Sequence, residues 1–286
     1  MENVTSESAP HLGARRLLID LETPFPRRWF GGDAFRSAYF NALSMSFPIG
    51  EQFFIDAVRG VLPRLPEDAR PSLLSEVQGF IAQEATHRRI HGLFNAQLAQ
   101  QGLVNHWHAR AEKRQAKLLQ MEVHPLVYLG ITVAYEHYTA VLADWTLRNP
   151  EVFEIAPPAL KAMWLWHSAE EVEHKAVAFE LYQQTGGGLW WRRYLYASVS
   201  LYFMTDALRQ TCNNLWHDGA LFKPSTWLSG FSFFFGRKGA VWSTALPLLR
   251  FFRSDFHPNQ EGERARSAHW LQGNTALWQA VSGRAA

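Results

Sequence analysis

The 286-residue chain has a single cysteine, Cys212. One thiol forms neither an internal disulfide nor a thiolate metal cluster, and it fits a reducing compartment. Long apolar runs are also missing. The nearest approaches, 195–208 and 226–252, are broken by Asp206 and by Arg237 and Lys238. Neither supplies the roughly 18 uncharged residues that a membrane-spanning helix needs. The opening residues MENVTSESAPHLGARR have no apolar stretch of the kind a secretory signal carries. A cytoplasmic protein is therefore expected, with contact at the periphery of the inner membrane left open. Charge of one sign is scarce, with a formal net charge of +2 and no basic run interleaved with aromatics. Nucleic acid is excluded as a partner on that ground. Neither strand-like alternation nor a repeat of solenoid length is found.

Helix signals and aromatic residues are abundant. The chain is 47% hydrophobic, with 12 Trp and 20 Phe, enough for a large core and for a greasy pocket or surface besides. Asp33 is placed to cap a helix over 34–46, and Pro48 either kinks it or separates it from a second run, 51–62. Further helices are predicted over 72–100, 105–121 (very polar, hence an outer element), 125–147 and 159–184. The triple glycine 186–188 then marks a boundary, and aromatic helical segments follow between breaks at Gly219, Pro224, Gly236 and Pro247. The fold class is all-α. Four regions are expected: an irregular lead (1–34), a helical bundle (35–188), an aromatic-rich helical extension packed on the bundle (189–258), and a tail with a short helix at best (259–286).

Seven residues carry chemistry: Glu51, the pair Glu84 and His87, Glu136, and the trio His167, Glu171 and His174. A helix turns about 100° per residue, so Glu84 and His87 stand about 60° apart on one face. His167 and Glu171 differ by about 40°, and His167 and His174 by about 20°. Trp164, Ala178 and Leu181 continue that last stripe, so polar groups occupy what should be an apolar core face. Glu136 likewise interrupts an apolar run, and Glu51 lies beside Phe53 and Phe54. Buried carboxylates on four helices repel one another and are costly unless cations neutralise them. Two Glu-x-x-His pairs with a lone Glu from each of two other helices form the donor set that helical bundles use for two metal ions. Mixed Glu and His donors suit iron or manganese, and the lack of Cys argues against structural zinc.

A single Glu-x-x-His is common on solvated helix faces; the interleaving of two with core-facing acids is what makes this pattern specific. His91, one turn beyond His87, is expected near the site as a supporting donor or at its entrance rather than as a ligand. Glu170 and Glu173 are expected on other faces, in solvent or in salt bridges. His137 is assigned no role. Tyr135 and Asp144 fit either a ligand-orienting role or ordinary packing.

The segments FPIGEQFF (47–54), QEATHRRIH (83–91), YEHYTA (135–140) and WLWHSAEEVEHKAVAFELY (164–182) resemble the bacterial family of predicted metal-dependent hydrolases, from about residue 25 to 258. The order of ligand types also resembles ferritin-like di-iron oxygenases, and the extra His167 resembles the p-aminobenzoate N-oxygenase group. That resemblance implies a ferritin-like four-helix bundle with Glu51, Glu84 and His87 on one iron, and Glu136, Glu171 and His174 on the other. It adds His167 to the second iron and makes one or two of the Glu residues bridging.

The expected activity is dioxygen activation at two iron ions, with manganese as the other candidate metal, and oxidation of a small hydrophobic substrate. The partners are then that substrate, O2 and an electron donor. The alternative is metal-dependent hydrolysis by a hydroxide bridged between two metals. Iron storage is disfavoured by the aromatic extension. The run LWWRRYLYASVSLYF (189–203) is suited to a membrane interface, although ordinary packing is the favoured reading, and apolar helix faces leave a homodimer open.

Overall fold

The structure, a computed structural model, describes residues 12–67, 69 and 71–281. Among these, helices dominate: α1 (Ala34–Val61), α2 (Pro71–Gln100), α3 (His106–Gln120), α4 (Pro125–Arg148), α5 (Pro158–His174), α6 (Val177–Gln184), α7 (Leu189–His217), α8 (Pro224–Phe235), α9 (Ala240–Arg250) and α10 (Arg264–Gly273). Two three-residue strands, β1 (Arg15–Leu17) and β2 (Trp278–Ala280), pair antiparallel. Neither strand is visible in the sequence, which has too few residues there to show alternation. Their pairing ties the lead to the tail and sets Arg15 beside α5.

Several boundaries follow local chemistry. The Asp33 carboxylate accepts from the Arg36 amide, opening α1 as its N-cap. Asn105 does the same for α3, of which only Trp107 is buried. Gly186, at φ 86°, follows α6 in the left-handed conformation that glycine adopts without strain. Pro48 does not divide α1, which runs through it as one helix. A proline inside a helix leaves the carbonyl four residues earlier without its donor. Here that carbonyl belongs to Ser44, and the Asn95 side-chain amide on α2 donates to it at 2.9 Å.

The expected single helix over 159–184 is instead two, α5 and α6, broken at Lys175 and Ala176. No glycine or proline marks the break. The stabilising contact is tertiary: buried Lys175 donates through Nζ to the backbone carbonyls of Glu261 and Gly262.

Four helices surround a common centre. α1 packs on α2 and α4, and α5 packs on α4 and α2. α7 lies across α1 and α4, α8 packs on α1, and α9 on α4, so the aromatic helices form a layer over the α1–α4 side. A Cβ at Gly130 would come within 2.5 Å of Leu195, which shows how closely α7 approaches α4 there. On the opposite side α10 covers α5, and its Ser267 hydroxyl donates to the Ala169 carbonyl. One buried apolar cluster runs through bundle and layer alike, from Leu17 through Phe80 and Phe203 to Leu271.

Candidate metal centre

The structure brings the seven sequence-predicted residues into one buried cluster. Glu51 comes from α1, Glu84 and His87 from α2, Glu136 from α4, and His167, Glu171 and His174 from α5. None is more than 4% exposed. Their donor atoms fall into groups within 4.8 Å of one another: Glu51, Glu84 and His87; His87, His167 and Glu171; and Glu84, Glu136, Glu171 and His174. Glu84 and Glu171 belong to groups at both ends, the geometry expected of bridging carboxylates. His167 shares groups with His87, Glu171, Glu51 and His91, and none with Glu136 or His174. Its ring lies 4.4 Å from that of His87. His167 thus lies towards Glu51 and His87 and beside Glu171, rather than beside Glu136 and His174.

The donor atoms pass the test for bound cations. Both oxygens of Glu51, Glu84 and Glu136, one of Glu171, Nδ1 of His87 and Nε2 of His174 are buried without a hydrogen-bond partner. Native interiors leave few such atoms, and leaving so many costs far more than a folded protein can spare. Divalent ions coordinated at these atoms would remove that cost.

A surrounding set of polar groups turns each imidazole. Gln83 donates through its amide to Glu173, at 2.9 Å, so its carbonyl oxygen is the acceptor facing Nδ1 of His174 at 3.0 Å. His174 therefore carries its proton on Nδ1 and points Nε2 at Glu84 (3.1 Å), Glu136 (3.4 Å) and Glu171 (3.5 Å). Nε2 of His87 lies 3.0 Å from Glu170, whose other oxygen accepts from Arg15 at 3.0 Å. That leaves Nδ1 of His87 facing Glu171 at 3.3 Å.

The third imidazole is set by a longer chain. Asn95 donates to the Ser44 carbonyl, so its side-chain oxygen accepts from the Ser44 hydroxyl at 2.9 Å. The hydroxyl oxygen then accepts from Nδ1 of His91 at 2.9 Å, and Nε2 of His91 accepts from Nδ1 of His167 at 3.2 Å. Nε2 of His167 is left facing Glu171 at 3.4 Å. All three histidines thus turn a lone pair into the cluster, the arrangement in which outer partners orient metal-binding imidazoles. His91 acts through His167 as a positioning residue.

Without cations, protons take their place. Burial first, then neighbouring Glu84, pushes the Glu51 carboxyl well above the usual carboxylate range. Burial and then Glu171 do the same to Glu136. Burial disfavours a charged His87, but Glu170 and Glu171 outweigh it and raise the imidazole to about 10. Burial and then His87 depress His167 to about 3, which keeps it neutral. Burial also opposes charge on Glu171, yet His174, His87 and His167 together hold that carboxyl well below its usual range.

Other expectations divide. Glu173 forms the expected salt bridge with Arg15, at 2.7 Å. Glu170 does too, but it is buried rather than solvated and holds His87. α5 has no outer face at that point, because α2 and α10 enclose it. His137 packs in the core, with Nε2 3.1 Å from the Pro247 carbonyl and its ring stacked on Phe251. Asp144 pairs with Arg148 and Arg266 and touches no ligand. Gln83, Ser44 and Asn95 escaped the sequence reading, and Glu170 was expected only in solvent or a salt bridge. Asn95 alone left a signal, at the next turn of the stripe Glu84, His87, His91.

A cavity of about 570 Å³ leads from the cluster towards the surface, bounded by α1, α3, α4 and α7. Glu51 is the one cluster residue in its wall; Phe47, Phe53, Phe54, Tyr135 and Phe203 are among the rest. α7 supplies one side, so the aromatic extension does wall the pocket.

An all-α protein with a buried carboxylate–imidazole cluster on four helices is the class that fold and site define. The chain belongs to the family described as "predicted metal-dependent hydrolase", whose model matches residues 13–262. No curated protein and no solved structure matches the chain.

Proposed function

We propose that this protein is a two-metal enzyme acting on an apolar substrate held in the 570 Å³ cavity, and that its centre is a di-iron one that activates dioxygen. The observation that carries the proposal is the donor set: four buried carboxylates and three oriented imidazoles, all on helices, opening on aromatic walls at Glu51. A bound metal pair supplies activation of dioxygen in this reading, and activation of water in a hydrolytic one.

The chain's own residues do the rest. Phe47, Phe53 and Phe54 exclude water beside Glu51 and favour a substrate that is apolar where it meets the centre. Phe47 also stacks on His167, with ring centroids 4.7 Å apart, and restricts its rotation. The chain from Asn95 to His91 keeps a proton on Nδ1 of His167, and Glu84 and Glu171, each shared between two donor groups, would be open to both metal ions.

Hydrolysis is the second reading, and among the comparisons it has the better support, because the family's description names it. Dioxygen activation is kept ahead of it because all seven donors stand on helices and the wall beside Glu51 is formed by Phe47, Phe53 and Phe54. Anaerobic loading with ferrous iron, followed by O2 and watched optically, separates the two. Two irons per chain and an absorbance change on oxygenation are expected. Ferrous protein inert to O2, with manganese- or zinc-loaded protein cleaving long-chain esters without O2, would establish hydrolysis instead.

A further inference from the structure

The layer α7–α9 turns an unusual surface outward. Its inner side packs on α1 and α4, so the outer sides of the three helices look away from the bundle together. On them Trp190 is 77% exposed, Leu228 69%, Phe231 64% and Trp242 65%. Exposed aromatics and leucines in such numbers mark a surface that meets something apolar. No described helix is long and apolar enough to cross a membrane, so a spanning role does not account for them.

Charge identifies what they meet. Residues 189–253 contain eight Lys or Arg and two Asp, a balance of +6, whereas the whole chain has +2 and the remainder therefore −4. Partners from outside the layer meet both acids, Asp206 through Arg110 and Arg114 and Asp218 through Arg28, and three of the cations, Arg250 through Glu261, Arg253 through Asp255 and Lys238 through Glu151 at 3.9 Å. Arg209, Lys223, Arg237 and Lys238 are exposed among the aromatics. Tryptophan and leucine interleaved with exposed cations complement an anionic lipid surface, where the rings enter the headgroup region and the cations meet phosphates. A second copy of the same face would bring like charges together.

The mouth of the cavity opens along the α7 edge of this face. Trp191, Tyr194 and Tyr202 of α7 line the cavity and are 59%, 62% and 48% exposed. Across the opening, α3 and the residue after it contribute Lys117 and Met121. An apolar molecule leaving a bilayer at this rim would reach Glu51 without crossing water.

We propose that the outer face of α7, α8 and α9 docks on anionic lipid bilayers and holds the mouth of the cavity at the membrane. The docking does not depend on which reaction the centre performs, and its test needs no turnover. The full chain is floated with vesicles of phosphatidylcholine alone and of phosphatidylcholine with one-third phosphatidylglycerol, at low and high salt. Two double variants are run beside it, Leu228→Glu with Phe231→Glu, and Arg237→Glu with Lys238→Glu. All four positions are exposed, and circular dichroism verifies folding.

Binding to the anionic vesicles at least tenfold tighter than to the neutral ones is expected, weakened by salt and lowered at least tenfold by either double variant. Folded wild-type protein that floats with neither vesicle overturns the proposal. So does a homodimer in solution that Leu228→Glu with Phe231→Glu dissociates, since the face would then be a subunit contact.

Discussion

Replacing Glu170 by leucine keeps much of the side chain's bulk and removes both of its acceptors. One of them receives Arg15, which retains Glu173 at 2.7 and 3.0 Å. The other receives Nε2 of His87, which has no alternative acceptor and is wholly buried. An unsatisfied buried donor costs about 1–3 kcal/mol. The imidazole can avoid that cost only by rotating, which takes Nδ1 away from Glu171 and the cluster. At about 1.4 kcal/mol per tenfold, metal affinity should fall about 10- to 100-fold. Glutamine at the same position can still offer His87 a neutral carbonyl oxygen, losing only the charge assistance, so Glu170→Gln should retain most of the affinity. Anaerobic competition titration with a chelator measures both variants, and melting of the metal-free proteins controls for folding. Unchanged affinity and stoichiometry in a folded Glu170→Leu protein would refute the assignment of Glu170 as the group that orients His87.

The His167 end can be separated from the rest. His167→Ala and Asn95→Leu should each weaken the metal position on the Glu51–His87 side and spare the one at Glu136 and His174, whereas Glu84→Ala should weaken both; metal analysis with two ions retained in all three variants would contradict the ligand assignment. The pH dependence of the metal-free protein has a definite sign. His87 rises from 6.5 to about 10 on folding, so its contribution to stability is complete below pH 6.5 and is lost as pH climbs towards 10. The raised carboxyls of Glu51 and Glu136 act in the same direction, since ionising them costs more in the fold than in the unfolded chain. Tm of the metal-free protein should therefore fall between pH 6.5 and 9, and metal loading should release protons and flatten the curve. A metal-free Tm that rises over this interval would show that the cluster does not hold protons in place of cations.

How far the sequence disclosed this arrangement depended on which residue lay where. The clustered residues were legible because they break apolar stripes: Glu136 among Val133 and Ala140, and His167, Glu171 and His174 in line with Trp164 and Leu181. Helix ends were legible where a capping side chain or a glycine stood, as at Asp33, Asn105 and Gly186. Glu170 was misplaced because helical geometry says which residues share a face and not which faces are outside. α10 encloses α5 from the far end of the sequence, 98 positions away at the Ser267–Ala169 hydrogen bond. The break between α5 and α6 was invisible for the same reason, since Lys175 is held by carbonyls at 261 and 262. The β1–β2 pair joins residues 15–17 to 278–280, a contact with no local signature at all.

Pro48 shows how a local defect becomes part of the site. Had residue 48 been able to donate, the Ser44 carbonyl would be satisfied within α1 and Asn95 would have no fixed orientation. Because it cannot, the Asn95 amide must turn its N–H towards Ser44, and the direction of every hydrogen bond from there to His167 follows. The bend-prone stretch Phe47-Pro48-Ile49-Gly50 leads directly into Glu51, the cluster residue in the cavity wall. One proline in α1 therefore bears on both the tautomer of the third histidine and the entrance to the centre. The seven donors alone define where metal ions can bind. The Pro48–Asn95 pair determines which nitrogen of His167 faces the cluster, and it does so through backbone chemistry that no motif of metal-binding residue types contains.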